Sequence, residues 1–238
     1  MKIGFVIPAY NEEKTIGNVI REIKIQYPES KVFVIDDASI DNTKRVVLDL
    51  CIKLSGIVLL SHSSNLGGGA AVKTGIQAAL NHDIDCLIQV DGDGQHNPQE
   101  VSKLLRLIEQ GADLALGSRY SGETGYETTL LRFFGVKFVS MLASLLTGVQ
   151  ITDINTGFKA MNRRCMESWA NNYPARHPSF EATVRFIREG GRVSETPVKV
   201  ERRFYGKSEF TLKRFTLYPL RLFLSILKIY FPRGRRNV

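Results

Sequence analysis

Apolar runs of strand length alternate with helical patterns along the first half of the chain, and this alternation restricts the fold more than any other feature. The runs are Lys2 to Ile7, Lys31 to Ile35, Gly56 to Leu60, Leu87 to Val90 and Asp113 to Gly117. Between the first two, Ile16, Val19, Ile20 and Ile23 recur at the spacing of one helix face. Strands that are apolar on consecutive residues have no solvent face. They predict an α/β fold, a mostly parallel sheet flanked by helices on both sides. Pro8 is expected to stop the first strand, and Asp41 to cap the helix after the second. Asn97 and Pro98 read as N-cap and first residue of a helix through Leu104 and Ile108. A long apolar helix is expected from Arg132 to about Leu146, and another from Pro178 to Arg188, ended by Gly190-Gly191. Val193 to Val200 returns as a strand.

Open parallel sheets bind ligands beyond the carboxyl ends of their strands. Those ends carry Pro8, Tyr10 and Glu12, then Asp36 and Asp37, then Asp91 and Asp93. Three polar clusters would border one crevice, which a set of ordinary turns has no reason to arrange. Asp91 and Asp93 alternate on an extended segment, so their side chains point the same way. With the amide oxygen of Gln95 they form a hard-oxygen set suited to Mg2+ or Mn2+ carrying a phosphate. Taken alone, an Asp-x-Asp is also a common polar turn. Arg119 follows the fifth run and faces the same crevice, whereas Arg132 by itself reads as a solvated helix end. Asp153 lies in a stretch, Ile151 to Lys159, that mixes turn and strand residues. Glu181 falls in a first helical turn, where a carboxylate suits the helix dipole. His96 reads as structural. Asn65 to Gly75 opens a glycine-rich helix, yet Val72 stands where a P-loop needs Gly and where a dinucleotide fingerprint needs a small residue. What remains is a helix start with free N–H groups near the crevice, or close helix-to-sheet packing.

The 238 residues have a net charge of +8, unevenly placed. Residues 199–238 hold eleven lysines and arginines against Glu201 and Glu209, an excess of +9, and the other 198 residues come to −1. In the final helical pattern, roughly Thr211 to Phe231, Arg214, Arg221 and Lys228 share one face. Leu217, Leu220, Leu224 and Leu227 occupy others. That layout predicts a basic amphipathic segment lying on an anionic membrane surface, against a helix packed on the domain with a solvated stripe. The charged face lacks interleaved aromatics, so nucleic acid is not the expected partner. The longest predominantly apolar run without a charge, Phe138 to Thr152, is 15 residues, short of the roughly 20 that span a bilayer. Cys51, Cys86 and Cys165 are too widely spaced for a disulfide framework or a zinc pattern, and the amino terminus enters a strand directly. The expected location is cytoplasmic, peripheral on the inner face of the cell membrane.

Seven stretches run in order over residues 1 to about 210. They are Ile7 to Glu13, Val34 to Thr43, Asn65 to Gly67, Val90 to His96, Gly117 to Tyr120, Asp153 to Phe158 and Arg203 to Ser208. Together they resemble the family 2 glycosyltransferases of GT-A fold, within them the dolichyl- or polyprenyl-phosphate hexosyltransferase-like branch. The resemblance implies that Pro8, Tyr10, Glu12, Asp37 and Asp91 hold the nucleoside, and that Asp93 and Gln95 bind Mg2+ or Mn2+ on the diphosphate. It also implies that Arg119 and Arg132 meet the acceptor phosphate and that Arg203 grips the donor diphosphate. The family's last motif often ends Gly-x-Ser-Lys. Here Glu209 replaces that lysine, and Lys207 is the substitute donor contact. Members frequently carry C-terminal transmembrane helices. This chain ends in one basic segment, so a small membrane protein is a further expected partner.

The expected organisation is a catalytic domain at 1–210 and a membrane-association segment at 211–238. The expected reaction is inverting, metal-dependent transfer of a hexose or N-acetylhexosamine from a nucleotide diphosphate sugar, UDP by resemblance, to a polyprenyl phosphate. It would serve cell-surface glycan synthesis or protein glycosylation. Two alternatives remain open at this point. One is transfer to a sugar hydroxyl of a growing polysaccharide, with Asp153 or Glu181 as base. The other is a non-catalytic nucleotide-sugar-binding scaffold.

Overall fold

The computed structural model describes residues 1–122, 128–174, 178–201 and 226. Its elements follow the order β1 (Ile3–Ala9), α1 (Ile16–Gln26), β2 (Lys31–Asp36), α2 (Thr43–Lys53), β3 (Ile57–Ser61), α3 (Gly68–Asn81) and β4 (Cys86–Gln89). A single 3-10 turn at Pro98–Glu100 leads into α4 (Val101–Glu109) and β5 (Leu114–Ser118). Then come α5 (Leu130–Thr147), β6 (Lys159–Asn162), α6 (Arg163–Asn172), α7 (Pro178–Arg188) and β7 (Val193–Pro197).

The strands form one sheet in the order β3-β2-β1-β4-β6-β5-β7. All pairings are parallel except those of β6, which runs antiparallel between β4 and β5. Consecutive residues of β1 serve opposite cores. Phe5 and Ile7 pack with α1 and α4, while Val6 joins α3, α6 and α7 on the other face. Burial on both faces is why these runs do not alternate in polarity. Gly75 of α3 permits close packing: a Cβ there would meet Val6 Cγ2 at 2.1 Å.

Several local expectations are corrected. Pro8 does not end β1; it stays in register opposite Ile35 of β2. In a parallel ladder, successive residues face alternate neighbours. Ala9 O accepts from Asp37 on the β2 side, so Pro8 faces β4, whose pairing with β1 stops at Val6↔Gln89. No ladder bond is asked of the missing N–H there. The N-cap of α2 is Asn42, although Asp41 Oδ1 still accepts from Thr43 N at 2.9 Å. The last strand ends at Pro197, with Val200 reduced to an isolated bridge with His96. β6 and α6 were not anticipated. Four residues of strand between a polar turn and a weakly apolar helix leave almost no periodic trace.

Candidate active site

The loops at the carboxyl ends of β1 and β2 are zipped together by side chains that bond backbone. Asn11 N donates to Ser39 Oγ at 3.0 Å and Ile40 N to Asn11 Oδ1 at 2.9 Å. Glu12 N donates to Thr43 Oγ1 at 2.8 Å, and Asn42 N to Glu13 Oε2 at 2.9 Å. Ala38, at φ +60°, holds a left-handed conformation that non-glycine residues rarely adopt. This frame sets the places of Pro8, Tyr10 and Glu12, with the Tyr10 ring exposed. It is joined to the Asp91–Asp93 loop by Thr15 Oγ1, which donates to Gly92 O at 2.7 Å.

Asp37 is buried and bonded to the protein through both carboxylate oxygens. Its carboxylate accepts from His62 Nδ1 (2.7 Å), Leu66 N (2.9 Å) and Gly67 N (2.7 Å). The N–H groups ahead of α3 are therefore directed at Asp37, and His62 continues to Thr74 Oγ1 at 3.0 Å. Asp37 thus holds the loop at 62–67 against the end of β2.

Beyond β4, Asp91 N donates to His96 Nδ1 at 3.0 Å, and the His96 ring stacks on Phe158 at 4.9 Å, the structural role expected of it. Asp93 is buried, and its Oδ1 accepts from Gln95 N at 3.0 Å. Gln95 is tied in turn to Glu201: its Nε2 donates to Glu201 O at 3.1 Å, and Glu201 N to Gln95 O at 2.9 Å. Glu201 stands two residues before Arg203 in the chain. Gly157 backs Asp91 so closely that a Cβ there would meet its Oδ2 at 2.4 Å. Among the described residues, no group of three or more His, Cys, Asp or Glu side chains is arranged to hold a metal ion unaided. Two carboxylates and a carboxamide on one loop still fit Mg2+ or Mn2+. Such ions keep waters and substrate phosphates in their shell and take only one or two carboxylates from the protein.

At the end of β5, Arg119 forms a two-pronged pair with Asp153: Nε to Oδ2 at 2.7 Å and Nη2 to Oδ1 at 2.9 Å. Asp153 is wholly buried, and Arg119 N also donates to it at 3.2 Å. Glu195 of β7 clamps the turn beneath, accepting from Thr152 N, Thr152 Oγ1 and Asp153 N, each at 2.8 Å. Arg132 lies in the first turn of α5, next to Phe133, whose ring packs against Tyr120 at 5.6 Å. Glu181 is buried at the start of α7 and accepts from Arg185 at 3.1 Å. Arg203, Lys207 and the basic segment at 211–238, apart from Ile226, fall outside the described residues.

The residues that sequence reasoning missed are His62, Glu195 and Lys159. Each looks ordinary in its own segment, because its partners are distant in the chain. Lys159, on β6, is wholly buried; its Nζ donates to Ser179 Oγ at 3.1 Å and lies 5.7 Å from the Trp169 ring centre. Burial pushes its ammonium down to about 8, against the pull of Cys165, Asp91 and Asp153. Below about pH 8 folded and unfolded chains both hold this proton, and the burial penalty is fully present. From about 8 up to its ordinary value of 10.5 the unfolded chain binds more protons, so this lysine makes stability rise with pH. Buried Cys86, pushed up to about 12, and Cys165 act in the opposite sense above their ordinary value of 9.0. Lys159→Met is therefore expected to be more stable than the parent at pH 7, with the gap narrowing by pH 9 in urea unfolding. A gap unchanged with pH would mean that Lys159 is not buried as a cation.

A family model for glycosyl transferase family 2 matches residues 5–169, most of the chain. The protein belongs to glycosyl transferase family 2. It is similar to the polyprenol monophosphomannose synthase of Mycolicibacterium smegmatis, 31% identical over 87% of this chain and 80% of the relative. It is also similar to the undecaprenyl-phosphate mannosyltransferase of Micrococcus luteus, 28% identical over 89% of this chain and 88% of that one. A Methanococcus voltae relative, a UDP-N-acetylglucosamine–dolichyl-phosphate N-acetylglucosaminyltransferase, is 26% identical over 83% and 84%. Glucosyl-3-phosphoglycerate synthase from Mycobacterium tuberculosis, solved with Mn2+, UDP and glucosyl-3-phosphoglycerate, superposes with a TM-score of 0.73. It is 18% identical and covers 98% of this chain and 81% of its own. That likeness establishes the GT-A fold. This family 2 member is accordingly a glycosyltransferase, and six of the seven sequence stretches that pointed to the family lie within the matched residues, with Arg203 to Ser208 beyond them.

Proposed function

We propose that the protein moves a hexose or N-acetylhexosamine from a nucleoside diphosphate sugar, with UDP as the donor nucleotide, to a polyprenyl phosphate, inverting the anomeric carbon. The observation that carries this reading is the Arg119–Asp153 pair. It presents a fixed guanidinium just beyond the carboxyl end of β5 while taking both oxygens of the carboxylate that a hydroxyl acceptor would need as base. Glu181 is likewise paired, with Arg185. A phosphate monoester has a second pKa of about 6 and is largely dianionic near neutral pH. It needs positive groups to position it, and no base. Relatives named for polyprenyl-phosphate, undecaprenyl-phosphate and dolichyl-phosphate acceptors support the same acceptor class.

In this mechanism the framed loops carrying Pro8, Tyr10 and Glu12, together with the 62–67 loop held by Asp37, bind the nucleoside, with Asp91 beside them. Asp93 and Gln95 are the residues that would hold Mg2+ or Mn2+, which when bound neutralises charge on the diphosphate. Arg119 and Arg132 orient the acceptor phosphate, and Arg203 and Lys207 draw the donor diphosphate. An acceptor phosphate oxygen bonds to the anomeric carbon from the face opposite the diphosphate. The carbon–oxygen bond to the diphosphate breaks with its electron pair, and no proton has to move. Residues 1–210 supply this chemistry and 211–238 the attachment to an anionic membrane. No described helix is long and apolar enough to cross a bilayer, which suits a peripheral position on the inner face, with or without a small membrane protein beside it.

The test is a screen of radiolabelled UDP- and GDP-sugars against undecaprenyl phosphate with Mg2+ or Mn2+. An acid-labile, lipid-extractable sugar phosphate is the expected product. Sugar appearing only on oligosaccharide acceptors would replace this reading with transfer to a hydroxyl, and no turnover with any donor would leave the scaffold.

A further inference from the structure

Helix α5 exposes a continuous apolar stripe. Leu130 is 76% exposed, Phe134 65%, Phe138 56%, Met141 53% and Leu145 74%. At 3.6 residues per turn these five fall within an arc of about 80°, over a length of about 22 Å. The opposite side of the helix does the packing: Val136, Val139, Ser140 and Ala143 are buried. A helix facing its own core on one side and water with large apolar residues on the other is not an ordinary surface helix, whose outer face is charged or polar. Other exposed large apolar residues among those described, such as Ile25, Ile40 and Ile52, are scattered. A contiguous exposed patch of this kind marks an interaction surface.

From this stripe we infer that α5 is the face by which the protein enters the headgroup boundary of a lipid bilayer. The choice of partner rests on the proposed lipid acceptor; the stripe itself does not. Two observations favour a bilayer. First, α5 contains no acidic residue, and its only charges are the cations of Arg132 and Lys137, which suits an anionic lipid surface. Secondly, α5 adjoins the Arg119–Asp153 pair. Lys137 Nζ donates to Tyr120 O at 3.3 Å, beside Arg119, and Ser140 Oγ accepts from Ile154 N at 3.1 Å, beside Asp153. A polyprenyl phosphate whose headgroup meets Arg119 and Arg132 must keep its hydrocarbon in a membrane. An apolar stripe on the outer side of the same helix would hold the crevice at that depth.

The experiment is flotation of the full chain with vesicles of neutral phosphatidylcholine at high salt, where a purely electrostatic hold by basic residues is screened out. The triple variant Phe134→Ser/Phe138→Ser/Leu145→Ser is expected to partition about 100-fold less well, from the apolar area that no longer enters lipid. Ile25→Ser/Ile52→Ser, which removes equally exposed apolar residues elsewhere, should partition like the parent. The triple variant should keep turnover on a short, water-soluble prenyl phosphate and lose it on undecaprenyl phosphate in vesicles. Equal vesicle binding by triple variant and parent overturns the inference. So does a parent dimer in sedimentation velocity that the triple variant alone dissolves, since the stripe would then face a second copy. Reduced vesicle binding without turnover on any prenyl phosphate keeps this surface and sinks the proposed reaction instead.

Discussion

Asp93→Asn is expected to lower turnover about a thousandfold while leaving the protein folded. The Asp93 carboxylate accepts from Gln95 N through Oδ1, and an asparagine oxygen accepts the same bond, so the loop keeps its shape. What disappears is a negative charge on the loop assigned to the divalent ion. Metal stabilisation of a departing diphosphate is worth several kcal/mol, and about 4 kcal/mol corresponds to about a thousandfold in rate. Two measurements check it. Steady-state turnover over a range of Mn2+ concentrations reads the chemistry. The rise in melting temperature given by Mn2+ plus UDP, large for the parent and absent for the variant, reads the ion's hold without any reaction. Parental turnover at parental metal concentration would remove Asp93 from the metal site.

Asp153→Ala is expected to destabilise the fold by about 3–5 kcal/mol, because it leaves the Arg119 guanidinium in a low-dielectric place without its counter-charge. For a chain of this length that is a fall in melting temperature of about 10 °C. Turnover should fall with it, since Arg119 loses both oxygens that orient it. The double variant Arg119→Met/Asp153→Leu separates the two effects. Removing a buried pair together is often near neutral for stability, so the melting temperature should recover in large part while turnover does not. A single variant that melts like the parent would mean that the pair is not buried, and a double variant with parental turnover would dismiss Arg119 from the acceptor site.

These two residues also mark how far the sequence could be read. Asp93 could be nominated from the sequence because its signal is local: a strand, a glycine-rich polar loop and a helix cap within nine residues. Asp153 was visible as a lone carboxylate, and by resemblance as part of a family stretch, but its partner was not. Its bond to Arg119 spans 34 positions, and the support from Glu195 another 42. No period or motif encodes such separations. The same holds for His62, which reads as a loop residue until β2, the 62–67 loop and α3 converge on it. Lys159 gives the sharpest case, since nothing in its neighbours announces that a lysine there will be sealed from water.

The amino-acid sequence by itself determined the layering of the domain and the family, and it nominated the edge of the sheet proposed for the chemistry. Apolar periodicity and strand-end carboxylates are short-range properties, and every residue involved lies within a few positions of its neighbours. Tertiary structure alone decided that β6 turns antiparallel, that Asp37 holds a loop, and that Asp153 is a counter-ion. It alone left one face of α5 exposed. Those outcomes depend on which distant surfaces meet and which exclude water, and they are defined only once the sheet has closed around its two cores.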